Sequence, residues 1–196
     1  ASREDVNWII SEMISELNIG HAYLGAPGDV EGVGGAPTGM LGCDFELVRE
    51  GDHAAYRIKK IYEGGPWDSD ARGPLSQPGV DVKEGDFLLA VDGVPVRTDR
   101  DPWAAFQAKA DRVVTLTVSS KPVLDESARE VLVKPASGEG NLRYRAWIER
   151  NRKYVEEKSG GKVGYIYVPN TGVDGQNDLF RQFFGQRDKA GLIIDE

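Results

Sequence analysis

Apolar residues recur at helical spacing near the start of the chain. Val6, Ile9, Ile10, Met13, Ile14 and Leu17 fall on one stripe, which predicts a helix over residues 3–18. Ser2 and Asp5, three positions apart, form a capping pair, and Gly20 supplies the stop. A stripe this continuous calls for a partner surface, so the segment reads as the last helix of a larger preceding unit. Residues 25–39 break all periodicity with six glycines and two prolines, a composition that predicts a loop or linker.

From residue 41 the period drops to two. Leu41, Cys43, Phe45 and Leu47 alternate with Gly42, Asp44, Glu46 and Val48, the pattern of a strand with one buried face, and Tyr56, Ile58 and Ile61 suit an antiparallel neighbour. A loop rich in Gly, Pro and Asp spans 63–78. The run Phe87–Val91 then turns at Asp92-Gly93 into Val94-Pro95-Val96. Asp-Gly fits a tight hairpin because both central residues need positive φ, and Pro95, lacking an N–H, keeps the return strand short or at an edge. Asp101-Pro102 starts a short helix with Trp103 and Phe106 inward. Residues 112–118 alternate again.

After Lys121-Pro122 the pattern changes. A short strand at 130–134 precedes an amphipathic helix over 142–158 that carries Tyr144, Trp147, Ile148, Tyr154 and Val155. Val163–Val168 is a strand, Leu179, Phe180, Phe183 and Phe184 mark a helix, and Leu192-Ile193-Ile194 reads as a buried strand. Strand, helix, strand implies a parallel pair with a crossover.

Composition narrows the function classes. The 196 residues are 40% hydrophobic, enough for a sizeable core. Lys plus Arg number 24 against 32 Asp plus Glu, a net charge of −8 with no basic stripe, which argues against nucleic acid. No apolar run approaches the ~20 residues that span a bilayer, and no membrane partner is expected. The lone Cys43 forms no internal disulfide, which suits a reducing, cytoplasmic setting and is compatible with the periplasm.

Candidate chemistry is sparse. Asp68-Ser-Asp-Ala-Arg-Gly imitates the opening of a calcium loop, but Arg72 occupies a ligand position and Gly79 stands where the closing glutamate belongs. Gly32-Val-Gly-Gly lacks the flanking strand and helix of a nucleotide loop. No Cys/His set has zinc spacing, so neither metal nor cofactor is expected. Cys43 reads as a buried strand residue and His53 as a turn residue. His21, directly after the first helix, is placed either to cap or to act as a base from a rigid support.

The strand-turn-strand of residues 79–96, with a helix soon after, resembles the PDZ domain of bacterial proteases. The ordered set Ser-Glu-Leu-Asn-Ile-Gly-His-Ala-Tyr at 15–23, this PDZ-like module, Gly-Lys-Val-Gly-Tyr-Ile-Tyr-Val-Pro-Asn at 161–170 and Gly-Leu-Ile-Ile-Asp-Glu at 191–196 resembles the tricorn protease family over nearly the whole chain. The resemblance implies an α+β chain in four parts. Residues 1–24 would be the closing helix of a first catalytic subdomain, 25–38 a linker, 39–121 a PDZ-like β-rich domain, and 122–196 the start of a second, crotonase-like α/β catalytic subdomain. It implies a large homo-oligomeric serine peptidase, a hexamer, acting on peptides released by larger proteases.

Residue by residue, His21 matches the family's catalytic histidine, while Gly20 stands where the family carries a supporting serine. The nucleophilic serine would follow Glu196, so these residues alone are expected to be inactive. The Thr171–Gly175 turn matches the region supplying oxyanion donors, with Gly175 or Gly172 as the amide; the plainer reading is a strand-to-helix loop. Asp195 resembles the acidic residue selecting Lys or Arg before the scissile bond, or it caps a local turn. A PDZ carboxylate loop would correspond to Met40, Leu41, Gly42 and Cys43, with Asp44 and Phe45 opening the edge strand. That module either binds peptide termini or acts as a spacer with its groove covered. A peptide-binding or scaffolding PDZ protein without catalysis is the alternative function.

Overall fold

A computed structural model of the chain describes residues 2–25, 35–65 and 71–196. The glycine cluster at 32–35, most of the linker at 25–38 and the acidic run at 68–70 therefore fall wholly or largely outside the described residues. The chain divides into two units, Ala1–Ala36 and Pro37–Glu196.

In the first unit, α1 spans Arg3–Ser15. Its N-terminus is closed by the anticipated capping box: Ser2 Oγ accepts from Asp5 N at 3.2 Å, and Asp5 Oδ2 accepts from Ser2 N at 2.6 Å. The helix ends three residues before the expected limit. Asn18 adopts φ 50°, and the Leu17 and Asn18 amides bond back to Ile14 and Ser15, so the stop precedes Gly20. Of the apolar stripe, Val6, Ile9, Met13 and Leu17 are exposed, while Ile10 and Ile14 are half-buried.

The second unit opens with an antiparallel sheet. Strands β1 (Cys43–Glu50), β2 (His53–Ile61), β3 (Phe87–Val91), β5 (Val114–Ser119) and β6 (Arg129–Val133) lie in the order β1-β2-β3-β5-β6, and β4 (Val94–Pro95) pairs with β3. The Asp92-Gly93 turn has φ 50° and 76°, the primed geometry that its sequence demands. A bulge between Asp44 and Phe45 shifts the β1–β2 register, and the strand then runs out past the core, leaving Leu47 exposed where alternation predicted burial. Beyond β6, Met40 and Ala136 exchange both backbone hydrogen bonds, at 2.8 and 2.9 Å, which brings the two ends of the sheet together. Leu41, Ile58, Leu88, Val91, Leu116 and Val118 fill the interior with Phe106 from a 3-10 helix, Pro102–Phe106. Each such side chain contributes about 1.5–3 kcal/mol on full burial. Asp101 starts that helix as expected, its Oδ1 accepting from Trp103 N at 2.8 Å.

The strand expected at 130–134 does not open the α/β unit. β6 pairs along its length with β5, Val131 and Val133 enter the same core, and Arg129 is ion-paired with the buried Asp86 ahead of β3. The antiparallel sheet thus extends past residue 121, because β6 covers core that β5 alone leaves open.

Then α2 (Gly140–Ser159), β7 (Val163–Tyr167), α3 (Val173–Phe184) and β8 (Gly191–Asp195) follow, with β7 and β8 parallel from Val163↔Gly191 to Tyr167↔Asp195. α2 packs on β7, where Tyr144 and Trp147 meet the Tyr167 ring at 5.3 and 5.2 Å. The expectation of a buried strand at 192–194 fails: Ile193 is 45% and Ile194 56% exposed. A two-stranded sheet has too little surface to cover both faces of its own strands.

Candidate functional site

Parallel strands joined by a crossover helix place their following loops at one edge, where α/β sheets hold ligands. β7 leaves that edge through Val168-Pro169-Asn170, and the Thr171-Gly172 turn enters α3 with Gly172 as its N-cap. Asn170 Oδ1 accepts from Gly172 N at 2.8 Å and from Gly175 N at 3.3 Å. The two amides singled out from the sequence thus converge on one oxygen at a helix N-terminus, where partial positive charge accumulates. Gly175 has no alternative: a Cβ there would lie 1.7 Å from the Asn170 carbonyl oxygen. Asn170 was missed in the sequence, although Asn two residues before Gly is the signature of an Asx turn.

Asp195 reaches the same edge at the end of β8. Its main-chain oxygen accepts from Val168 N at 2.8 Å, two residues before Asn170. Its Oδ2 accepts from the hydroxyl of the buried Tyr165, to which Asn151 also donates at 3.2 Å. Burial, then the Asp195 carboxylate, hold the Tyr165 phenol above its ordinary pKa, so it stays a donor. The Asp195 carboxylate is thus anchored on the Tyr165 hydroxyl.

His21 lies in the other unit, exposed beyond the end of α1, with the Tyr23 ring edge-on at 6.5 Å. His53 begins β2 opposite Glu50.

At the start of β1, Leu41, Gly42 and Cys43 are buried, and Gly42 has φ +70°. A buried carboxylate from outside the sheet meets this loop: Gly42 N donates to Glu139 Oε2 at 2.9 Å. Arg143, one turn along α2, joins Glu139 Oε1 and Asp44 Oδ1, each at 2.6 Å, and donates to the Cys43 carbonyl at 3.0 Å. Its guanidinium stacks 4.5 Å over the Tyr62 ring, whose hydroxyl donates to Asp44 at 2.9 Å. Burial pushes the Asp44 carboxyl up, but hydrogen bonds from Arg143 and Tyr62 outweigh it and hold it below the ordinary value. Burial, reinforced by the Glu139 and Asp44 carboxylates, pushes the Cys43 thiol far up, consistent with an inert strand residue. Beside the loop, Phe45, Lys59, Pro102 and Trp103 line a groove of about 420 Å³ between β1 and the 3-10 helix. Glu139 and Arg143 were also missed; their i,i+4 spacing reads only as a surface pair.

Among the described residues no helix is long and apolar enough to cross a membrane, and no group of three or more His, Cys, Asp or Glu residues is placed to hold a metal.

Comparison with known proteins agrees over the full length. The Tricorn protease PDZ domain family matches residues 39–137. The chain is similar to tricorn protease homolog 1 of Streptomyces coelicolor, with 36% identity over 100% of this chain and 18% of the relative. It is 30% identical to the tricorn protease of Thermoplasma volcanium over 99% of this chain and 18% of that one. The crystal structure of the tricorn protease superposes with a TM-score of 0.78 at 29% identity, covering 100% of this chain and 18% of the other. The chain therefore spans about a fifth of the length of the curated relatives it matches.

Proposed function

The chain belongs to the tricorn protease family, and we propose that it is a segment of a serine peptidase that degrades oligopeptides, with His21 as its general base. The nucleophilic serine lies outside these 196 residues. His21 takes the serine proton as the hydroxyl attacks the peptide carbonyl and returns it to the leaving amine. The amides of Gly172 and Gly175 stabilise the oxyanion of the tetrahedral intermediate, each such donor being worth about 10²–10³ in rate. Asp195, oriented by Tyr165, attracts Lys or Arg before the scissile bond. The parent assembles as a homo-hexamer in the cytoplasm, a reducing setting that suits the single buried thiol.

The observation that supports this reading is the convergence of two backbone amides on one oxygen, Asn170 Oδ1, at the N-terminus of α3. Gly20, in place of the family's serine, leaves His21 with one orienting hydrogen bond fewer.

A fluorogenic peptide with Lys or Arg before the reporter tests the assignment. The full-length parent should turn it over, and His21→Ala should lower kcat by three orders of magnitude or more, roughly the weight of a triad member, while His53→Ala leaves it unchanged. The 196 residues alone should be silent. Turnover by this chain that a serine-directed inhibitor blocks would show that the nucleophile had been misplaced.

A non-catalytic PDZ scaffold is the second reading. The fastening of α2 to the β-rich domain through Arg143 and Glu139 favours it, since such a contact serves architecture without chemistry. Full-length protein that is folded yet inert on every peptide would favour this reading.

A further inference from the structure

A PDZ module receives a chain terminus by holding its carboxylate on loop amides while the peptide extends along a free strand edge. In this chain that place is already taken. Glu139 is 7% exposed, and both of its oxygens are engaged, Oε2 by the Gly42 amide and Oε1 by Arg143. The Met40 amide is spent on Ala136, and the Cys43 carbonyl, at the start of the edge strand, accepts from Arg143. Glu139 lies two residues past the segment matched by the PDZ family, at the N-cap of α2, yet its side chain makes no capping bond to that helix.

A glutamate at a helix start normally stabilises its own first turn. This one instead crosses 97 residues of sequence to reach the carboxylate loop. Gly42 is held in the conformation that offers its amide there: its φ is positive, and a Cβ would stand 3.1 Å from Leu142 of the same helix. Helix and loop are therefore shaped against each other around one carboxylate.

We propose that Glu139 is an internal ligand of the PDZ carboxylate loop. It takes the position of a peptide's terminal carboxylate, docks α2 onto the antiparallel sheet, and excludes chain termini while in place. Arg143 completes the lock by neutralising Glu139 and occupying the first acceptor of the β1 edge. The module reads its own chain, and a carboxylate-terminated peptide is the class of ligand that would compete for the loop. The proposal does not depend on His21 being catalytic.

The test uses the whole chain and a dye-labelled hexapeptide ending in valine, as the free acid and as the amide, followed by anisotropy and by the backbone amide resonance of Gly42. The wild type should not distinguish acid from amide, and its Gly42 resonance should stay still. Glu139→Ala should bind the acid about tenfold or more tighter than the amide, the weight of one charge-assisted hydrogen bond, with the Gly42 resonance moving on titration. Glu139→Gln keeps an acceptor and the shape but drops the charge, and should show a smaller gain of the same kind; it serves if the alanine variant does not fold. Acid-selective binding by the wild type would overturn the proposal. So would no acid-selective gain in whichever variant folds, or a gain that leaves the Gly42 resonance unmoved, which would assign the effect to Arg143 alone.

Discussion

Replacing Gly175 by alanine puts one methyl group where the fold has no room. Its Cβ would lie 1.7 Å from the Asn170 carbonyl oxygen, 2.8 Å from its carbon and 3.2 Å from its nitrogen, all main-chain atoms. Non-bonded contacts settle near about 3.5 Å, so the first turn of α3 and the Asn170 turn must separate by roughly 1.5 Å or more. That movement breaks the bond from the Gly175 amide to Asn170 Oδ1. Overpacking of this kind costs about 1–3 kcal/mol, against which alanine's better helix propensity returns about 1 kcal/mol. A net loss of up to roughly 2 kcal/mol is expected. Gly140, in the first turn of α2, is the matched control, because a Cβ there meets nothing within 4 Å. Gly140→Ala should therefore be stabilising by about 0.5–1 kcal/mol. Urea denaturation followed by tryptophan fluorescence measures both midpoints, and hydrogen exchange at the first turn of α3 localises the effect. If the two variants shift the midpoint in the same direction, the tight contact between Gly175 and Asn170 is refuted.

Other consequences are equally accessible. Arg143→Met removes the cation shared by Glu139 and Asp44 and leaves a buried carboxylate unpaired; because the arginine is itself partly exposed, a loss of roughly 1–3 kcal/mol is expected in urea denaturation. Asp44 has a folded-state pKa below its unfolded value, so its contribution is fully present above the ordinary carboxylate pKa of about 4 and is lost as pH falls through the lower folded value. Asp44→Asn should therefore flatten the acid limb of a stability-against-pH profile and leave its alkaline side unchanged in slope. Phe106→Ala empties the centre of the antiparallel core and should lose about 3–5 kcal/mol in the same assay, whereas truncating the exposed Phe184 should cost far less.

Local chemistry written in neighbouring residues is legible in the sequence. The capping box at Ser2 and Asp5, the Asp92-Gly93 hairpin, the Asp101-Pro102 helix start and the parallel pair around α3 follow from spacing, φ preference and hydrogen-bond inventory, which act over a few positions. The two glycines of the Thr171–Gly175 turn were also legible, as backbone that must approach something closely. What they approach was not: Asn170 has the composition of an ordinary turn, and only the folded loop brings its side chain onto both amides.

Sequence by itself determined the periods, the turns and the order of strands and helices, because each is settled by contacts within one element. Tertiary structure decided which elements share a core and which groups share a charge. It put β6 with the antiparallel sheet through Val131 and Val133, exposed Ile193 and Ile194, tied Asp195 to Tyr165, and brought Glu139 to Gly42. Pairs separated by tens of residues leave no periodic trace, since burial and charge neutralisation depend on where the chain returns in space rather than on what stands beside each residue.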